Sequence, residues 1–393
     1  MDLASLEWLL TDEGRHVLAE AEAAVAQGGD PLAVQQRLRR AVQADPSQIA
    51  TALSQVELRA HAVAKFGDDA ARMYFTRDAL EQATRLSVAR HRAARLRAFG
   101  GGSLVDLGCG LGGDLIAAAE AGLVVAGVDL DPVRVALARA NLAALDLPGA
   151  VMVADAVELD TSGFDVAFAD PARRGAAGRT WQAEDWTPPW SFVETLLRRD
   201  ACVKVAPGVP HDLIPDDVEG EWVSDHGEVK EAALWSGRLT TVRRRATVIG
   251  DGGLATLTDE DDPGREEIGT RAVGGFLYEP DGAVIRAGLV TAVAAGVQGA
   301  LLDPKIAYVT SDAAFRSPFA RGYRVLEELP YREKALKAAL KERDIGTLTI
   351  KKRGVDVVPE QLRKRLGLRG SVPATLVLTR VAGEGTALLV QPV

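Results

Sequence analysis

One stretch near residue 105 constrains the fold of this chain more than any other part of it. An apolar run from Ser103 to Leu107 is followed by four glycines within positions 108 to 113, and then by the alanine-rich segment Leu115 to Ala121, which lacks proline. The pattern predicts a buried strand, a tight turn and a helix. Glycine permits positive φ in such a turn and lets a ligand approach the backbone beside a helix N-terminus. We therefore expect a nucleotide-like ligand to bind at this turn.

The same alternation of strand and helix continues to about residue 250. The candidate strands are Leu104–Leu107, Val124–Asp129, Val151–Ala154, Val166–Asp170, Cys202–Ala206, Glu221–Val223 and Val242–Ile249. Helical segments such as Pro132 to Leu145 lie between them. Short apolar strands that alternate with helices are typical of a parallel sheet covered on both faces. The predicted fold class is α/β, with a Rossmann-like sheet.

The length of 393 residues exceeds that of one ordinary core, so we expect several domains. We predict a helical domain at 1–98, the α/β domain at 99–250, a linker and connecting segment at 251–322, and an α+β domain at 323–393. Asp30-Pro31 and Asp45-Pro46 should each begin a helix, with Asp as N-cap and Pro in the first turn. A further helix is expected from Arg77 to Phe99.

The connecting segment contains an acidic stretch, Asp259 to Glu267, which we predict to be a solvated linker. A helix over Gly282 to Gln298 and loop-like sequence to Gly322 should follow. In the last domain the predicted elements are a strand Tyr323–Leu326, a helix Arg332–Arg343, a strand Thr347–Lys351, a helix Pro359–Leu366, and strands Ala374–Thr379 and Ala387–Gln391.

Composition excludes several classes of protein. Two cysteines give neither a disulfide framework nor a metal site, and no run approaches the length of a membrane helix. The acidic N-terminal sequence lacks the basic start of a signal peptide, so we expect a cytoplasmic protein without a membrane partner. The net charge is −9, yet Tyr331 to Gly370 carries twelve Lys/Arg against five Asp/Glu. This local excess indicates a polyanionic partner.

Carboxylates at successive strand ends distinguish between possible cofactors. Asp106 stands two residues before Gly108, where it would repel a dinucleotide pyrophosphate but suit the sulfonium and amino groups of S-adenosylmethionine. Asp129 ends the next strand, where ribose hydroxyls would lie. Asp155 and Ala156 follow the third strand and could pair with adenine through a side chain and a backbone N–H. The predicted cofactor is S-adenosylmethionine, and no metal is expected.

These residues resemble the class I S-adenosylmethionine-dependent methyltransferases over about residues 100–250. The resemblance implies a seven-stranded Rossmann-like sheet. It also implies the following cofactor-binding residues: Asp106, Gly108, Gly110 and Gly112 in the first motif, Asp129 at the ribose, and Asp155 with Ala156 at the adenine.

We expect the methyl acceptor to bind at the end of the fourth strand, which faces the methyl group in this family. The sequence there is Asp170-Pro171-Ala172-Arg173. Enzymes that methylate exocyclic amino groups typically have Asp/Asn-Pro-Pro-aromatic, so Ala172 and Arg173 depart from that pattern. The candidate catalytic residues are Asp170, Pro171 and Arg173. Stacking on a base could come from Arg173 or from Trp181, Trp186 or Trp190.

Uracil-C5 methyltransferases have a related Asp-Pro-Pro-Arg sequence but also need a cysteine nucleophile beyond the next strand. Cys202 opens that strand and would lie over about 10 Å from the site. We therefore expect Cys202 to be a core thiol.

A more specific resemblance is to bacterial methyltransferases with a C-terminal THUMP-like domain, which are distantly similar to trimethylguanosine synthase. It is carried by Phe75-Thr76-Arg77 with Leu80-Glu81-Gln82-Ala83-Thr84, by Asp170-Pro171-Ala172-Arg173-Arg174, and by Gly346 to Gly354 (GTLTIKKRG). Thr76 is accordingly expected to contact the cofactor. The resemblance implies that the THUMP-like domain binds RNA, with phosphate contacts from Lys351, Lys352, Arg353, Arg363, Lys364 and Arg365.

The sequence thus favours a methyltransferase acting on a base in structured RNA, such as tRNA or rRNA. Transfer would be a direct in-line displacement, with Asp170 as orienter or proton acceptor. Two alternatives stay open: a small-molecule or protein methyltransferase, and a non-catalytic RNA-binding protein that retains the cofactor fold. The base and the acceptor atom are not determined by the sequence.

Overall fold

The computed structural model describes residues 1–171, 174–175, 178–179 and 188–393, the two short pieces by their backbone alone. The predicted site residues Arg173, Trp181 and Trp186 lie outside the described residues. The chain divides into two compact units. The first unit comprises residues 1–205 and 233–240, and the second comprises 206–232 and 241–393.

The first unit begins with helices only. They are α1 (Leu3–Leu9), α2 (Asp12–Ala26), α3 (Pro31–Ala41), α4 (Pro46–Phe66), a 3-10 turn (Gly67–Ala71), α5 (Arg77–Gln82) and α6 (Leu86–Phe99). The two Asp-Pro helix starts are confirmed, because the Asp30 side chain accepts the N–H of Ala33 and Asp45 forms a capping box with Gln48. Each cap satisfies backbone donors that the first turn leaves free.

The predicted helix from Arg77 to Phe99 is wrong in one respect, because it is two helices. Ala83 and Arg85 have extended backbone between α5 and α6. The Lys65 ammonium donates to the carbonyls of Leu80, Glu81 and Ala83 at 2.7–2.9 Å. It therefore satisfies carbonyls at the end of α5 that would otherwise need the next helical turn.

A parallel sheet follows in the first unit. Its elements in chain order are β1 (Ser103–Leu107), α7 (Gly113–Glu120), β2 (Val124–Asp129), α8 (Pro132–Ala144), β3 (Ala150–Val153), β4 (Val166–Ala169), the short strands β5 (Arg174–Gly175) and β6 (Gly178–Arg179), α9 (Trp190–Leu196) and β7 (Ala201–Val205). The strand order is β7-β4-β1-β2-β3, and every pair is parallel. The carboxyl ends of all five strands therefore meet at one edge of the sheet.

The second unit carries two groups of strands. Its elements are β8 (Glu219–Asp225), β9 (Glu228–Ser236, whose last residues belong to the first unit), β10 (Arg244–Gly250), β11 (Gly253–Thr258), α10 (Arg265–Ile268), β12 (Phe276–Pro280), α11 (Gly282–Ala287), α12 (Val290–Gly296), β13 (Ala300–Asp303), β14 (Ile306–Ser311), β15 (Ala320–Leu329), α13 (Glu333–Glu342), β16 (Ile345–Lys352), α14 (Pro359–Leu366), β17 (Val372–Val381) and β18 (Glu384–Pro392).

Seven of these strands form one sheet in the order β13-β14-β12-β15-β18-β17-β16. Helices α13 and α14 pack their leucines, Leu336, Leu340, Leu362 and Leu366, into a core with alternate residues of β16 such as Leu348 and Ile350. The six elements predicted after residue 322 are confirmed, with bounds that shift by up to three residues.

The segment 251–322 differs from the prediction. Strands β13 and β14 lie where loop-like sequence was expected, and the predicted helix Gly282–Gln298 is interrupted at Gly288, whose φ is +73°. Strands β9 and β11 were not predicted. The acidic stretch contains a 3-10 turn (Asp259–Asp261) and α10, and its Asp259 carboxylate accepts the backbone N–H of Arg244.

The predicted α/β fold class is confirmed. No helix within the described ranges is long and apolar enough to span a membrane.

Candidate cofactor and acceptor site

The glycine turn has the backbone geometry that its sequence predicts. Gly108, Gly110 and Gly112 have φ values of +105°, +56° and +88°. The N–H groups of Gly108 and Cys109 both donate to the carbonyl of Val128 at 2.9 Å, which ties the turn to the end of β2. A Cβ at Gly108 or Gly110 would point into open space, with no atom within 4 Å. The turn therefore leaves an open cradle that a ligand could fill.

Asp106 presents a buried carboxyl group to this edge of the sheet. The residue is 2% exposed, and its Oδ1 atom has no hydrogen-bond partner among the described residues. Burial raises the pKa of the Asp106 carboxyl well above its ordinary value, and the nearby carboxylates of Asp114 and Asp170 raise it further. An acceptor in this environment would be stabilised by a cationic or N–H-bearing ligand.

Asp129 links the glycine turn to the following helix. Its Oδ2 accepts the N–H of Gly110 at 3.0 Å, and its Oδ1 accepts the N–H of Asp131 at 3.0 Å. A carboxylate has about four acceptor positions. Both oxygens of Asp129 can therefore also accept hydroxyl groups of a ligand.

Asp155 and Ala156 lie just beyond the carboxyl end of β3, next to β2 in the sheet. Asp155 is exposed, and its Oδ1 accepts the N–H of Val157 at 2.9 Å. Ala156 is half-buried. The side chain of Asp155 is thus oriented by its own turn, as is common for Asp that begins a turn.

A short extended segment, Tyr74 to Thr76, is held by two buried carboxamides that the sequence analysis missed. Asn141 on α8 accepts the N–H of Tyr74 at 2.7 Å and donates to its carbonyl at 3.1 Å. Gln55 on α4 pairs in the same way with the N–H and carbonyl of Phe75. Each carboxamide thus bonds a backbone N–H and a backbone carbonyl, as a neighbouring strand would do in a sheet.

Asn141 also connects this segment to the glycine turn, because its Nδ2 donates to the carbonyl of Leu111 at 2.9 Å. Thr76, which follows the clamped residues, caps α5 through its hydroxyl, which accepts the N–H of Ala79. Its backbone is therefore fixed relative to the glycine turn. In the sequence, the signal for this connection was a single polar residue, Asn141, among the apolar positions of α8. Its side chain is fully buried and therefore needs hydrogen-bond partners.

At the acceptor end, Asp170 is bound by a lysine that the sequence analysis did not single out. The Lys204 Nζ lies 2.5 Å from Asp170 Oδ2 and 3.1 Å from the Thr84 hydroxyl. Strands β4 and β7 pair with Phe168 opposite Cys202 and Ala169 opposite Val203, so Asp170 and Lys204 are the next residues along. A single charge inside an apolar strand was the signal that could have identified Lys204.

The other acceptor residues are placed as follows. Pro171 is buried directly after Asp170. Cys202 is fully buried, as expected of a core thiol. Trp190, offered as a stacking alternative, is wrong for that purpose because it is 4% exposed and its indole N–H donates to Glu194.

The six basic residues predicted to bind RNA do not form one surface. Lys351 and Lys352 are consecutive residues at the end of β16, so their side chains point to opposite faces of the sheet, and Arg353 follows directly after the strand. Two of the three basic residues on α14 are engaged, because Arg363 donates to the carbonyl of Leu348 and Arg365 pairs with Glu333. Lys364 is exposed.

Comparisons with known proteins agree with this geometry. A methyltransferase-domain family model matches residues 104–173, a THUMP-domain-like model matches 320–392, and a domain of unknown function matches 2–62. The crystal structure of a proposed methyltransferase from Porphyromonas gingivalis W83 superposes with a TM-score of 0.76 at 24% identity, covering 97% of this chain and 99% of that one. That likeness shows the shared fold.

Sequence relatives give the family. An uncharacterized S-adenosylmethionine-dependent methyltransferase of Mycobacterium tuberculosis, found in two strains, is 39% identical over 340 residues. The match covers 84% of this chain and 92% of the relative. The chain belongs to the class I S-adenosylmethionine-dependent methyltransferases, carries a C-terminal THUMP-like domain, and uses S-adenosylmethionine as its cofactor.

Proposed function

We propose that this enzyme methylates a base in structured RNA, such as tRNA or rRNA. The observation that carries the choice of RNA is the THUMP-like match at 320–392, within a part of the chain where Tyr331 to Gly370 has twelve basic against five acidic residues. Salt-dependent attraction to phosphates follows from such a charge excess.

The cofactor is proposed to bind at the glycine turn. The cradle beside Gly108 and Gly110 and the unpaired Oδ1 of Asp106 fit a ligand with cationic and N–H groups. S-adenosylmethionine supplies an electrophilic methyl group on a sulfonium. Asp106 would bind the amino-acid end, and Asp129 would accept the ribose hydroxyls.

The remaining cofactor contacts are proposed on the same basis. Among the described residues Asp155 is bonded only through Oδ1, so its Oδ2 suits the adenine amino group, and the Ala156 N–H suits a ring nitrogen. Thr76 would contact the cofactor from the clamped segment before α5. Gly112 shapes the turn rather than the cradle, because a Cβ there would meet Ala138 at 3.2 Å.

On the acceptor side, Asp170 is proposed to orient the nucleophile or accept its proton. Lys204, which also donates to the Thr84 hydroxyl, positions the Asp170 carboxylate through Oδ2, and Oδ1, which accepts no hydrogen bond from the described residues, is proposed to face the acceptor. Holding the nucleophile and the methyl group in line is the main contribution that these residues make to the rate. Pro171 fixes the backbone at this point, and Arg173, Trp181 and Trp186 stay proposed contacts of the base.

The proposal is tested by transfer of a tritiated methyl group to RNA from a strain that lacks the gene. We expect label in the RNA with the wild-type enzyme and none with Asp170→Ala. Label in a protein or metabolite fraction instead would favour the alternative substrate classes. Absence of label in every fraction, with S-adenosylmethionine binding intact, would favour a non-catalytic RNA-binding protein.

A further inference from the structure

The second unit contains an open pocket of about 1060 Å³ that is lined by basic side chains. Five of them are Arg316, Arg321, Arg324, Lys351 and Arg353. Pockets for single small molecules usually have volumes of about 300–1,000 Å³. This one slightly exceeds that range and is open to solvent, so it can accept part of a larger, extended ligand.

The pocket exists because the seven-stranded sheet curls. Lys351 lies on the edge strand β16, and Glu279 lies on β12, with three strands between them in the sheet order. Their side chains nevertheless form an ion pair at 2.5 Å. The Arg353 guanidinium likewise lies 5.6 Å from the ring of Tyr308 on β14. These contacts fix the inner wall of the pocket.

The acidic side chains of the pocket are occupied by partners within the protein. Glu279 accepts hydrogen bonds from Lys351 and, at 3.2 Å, from the Tyr323 hydroxyl. Asp281 caps α11 by accepting the N–H of Ala283 at 2.8 Å. Glu279 is thus paired with Lys351, and Asp281 forms no ion pair with the arginines among the described residues, so the basic side chains of the pocket outnumber its carboxylates.

Three of the arginines are exposed and form no ion pair within the described ranges of the chain. They are Arg316, Arg321 and Arg324. The guanidinium of Arg324 lies 5.7 Å from the centre of the Phe276 ring, which is partly exposed in the pocket, as is Phe315. Both rings also pack against the buried cluster around Tyr278, so each presents only part of its surface to the pocket. Arginines without an ion-pair partner beside partly exposed aromatic rings are typical of sites that track a phosphate backbone and stack unpaired bases.

We infer that this pocket binds an unpaired segment of RNA, with Arg321 and Arg324 contacting phosphates and Phe276 and Phe315 available for base stacking. The inference rests on the proposed RNA substrate and assigns its recognition to the concave face of β12, β15 and β16. An acidic peptide would use the same arginines but would gain nothing from the aromatic rings.

The test is fluorescence anisotropy with the full-length protein and a labelled oligouridylate at several salt concentrations. We expect Arg321→Ala and Arg324→Ala each to weaken binding and to reduce the slope of log K against log salt by about one. The matched control is Arg39→Ala, an exposed arginine of α3 that lies outside the basic stretch and does not line the pocket, and it should leave both quantities unchanged. Denaturant unfolding verifies that each variant is folded.

Wild-type affinity and salt slope in both arginine variants would overturn the inference. Displacement of the oligouridylate by oligoglutamate at equal concentration would also overturn it, in favour of an acidic peptide. Binding is measured separately from methyl transfer. If RNA accepts no label while oligouridylate binding still depends on Arg321, the proposed function fails and the pocket assignment stands.

Discussion

The Nζ atom of Lys204 lies 2.5 Å from Oδ2 of Asp170, where β7 and β4 end side by side. The two side chains are only partly exposed, 16% for Lys204 and 34% for Asp170. At this low exposure, water and salt screen the ion pair less than they screen a pair on an open surface. A second contact, from Lys204 to the Thr84 hydroxyl, fixes the ammonium group from the other side. The carboxylate at the proposed acceptor position is therefore held in one orientation.

Substitution of Lys204 should reduce kcat without affecting cofactor binding. In Lys204→Met the Asp170 carboxylate loses its positioning partner, and a misplacement of about 1 Å costs roughly 100-fold in rate. Lys204→Arg keeps the charge and should recover part of kcat. Methyl-transfer kinetics and calorimetry with S-adenosylmethionine check this, and wild-type kcat in Lys204→Met would contradict the role.

Asp106→Asn should stabilise the cofactor-free protein while weakening cofactor binding. Because the folded pKa of Asp106 is raised, the wild type loses stability as pH rises from the ordinary Asp range through the folded pKa. Asn carries no charge and avoids this loss of stability. We therefore expect the free energy of unfolding of the variant to exceed that of the wild type by about 1–3 kcal/mol near neutral pH.

The difference between wild type and Asp106→Asn should shrink as pH falls to below the ordinary Asp pKa, because the carboxyl is then protonated in both the folded and the unfolded state. Denaturant unfolding at several pH values measures it, and calorimetry measures the affinity for S-adenosylmethionine. A stability difference that does not change with pH would argue against a charged, buried Asp106.

Alanine substitutions at two glycines of the turn should differ in their effects on cofactor binding and on stability. Gly110→Ala places a Cβ in the open cradle, so we expect loss of cofactor affinity with a fold cost of only about 1–2 kcal/mol for the positive φ. Gly112→Ala has the same backbone cost, and its Cβ would also meet the Cα and Cβ of Ala138 at 3.2 Å. Unfolding midpoints and calorimetry check the contrast, and equal stability of the two variants would contradict it.

Asn141→Leu should loosen both the Tyr74–Thr76 segment and the glycine turn. The N–H and carbonyl of Tyr74 and the carbonyl of Leu111 would lose their buried partner, at a total cost of about 3 kcal/mol or more. We expect a matching loss in denaturant unfolding and a weaker affinity for S-adenosylmethionine. Unchanged affinity in a destabilised variant would show that the clamp serves the fold alone.

Much of the first unit could be predicted from local sequence. The caps at Asp30 and Asp45 and the positive φ of Gly108, Gly110 and Gly112 depend on residues close in the chain. The end of β2 at Asp129 and the end of β3 two residues before Asp155 follow from short-range periodicity. Parallel pairing then brings those ends to one edge of the sheet.

Contacts between distant residues could not be predicted in this way. Lys204 and Asp170 are 34 positions apart, and Asn141 is 67 positions from Tyr74. Both contacts depend on how strands and helices register in the folded sheet. Strands β13 and β14 pair with each other, and β14 also pairs with β12, which was not predicted either.

The central claim, that this enzyme methylates RNA through Asp170, is tested most directly by mass spectrometry of nucleosides from total tRNA and rRNA. We expect one methylated nucleoside to be absent from the deletion strain, to return with the wild-type gene, and not to return with Asp170→Ala. Identical methylated nucleosides in the deletion and wild-type strains would contradict it.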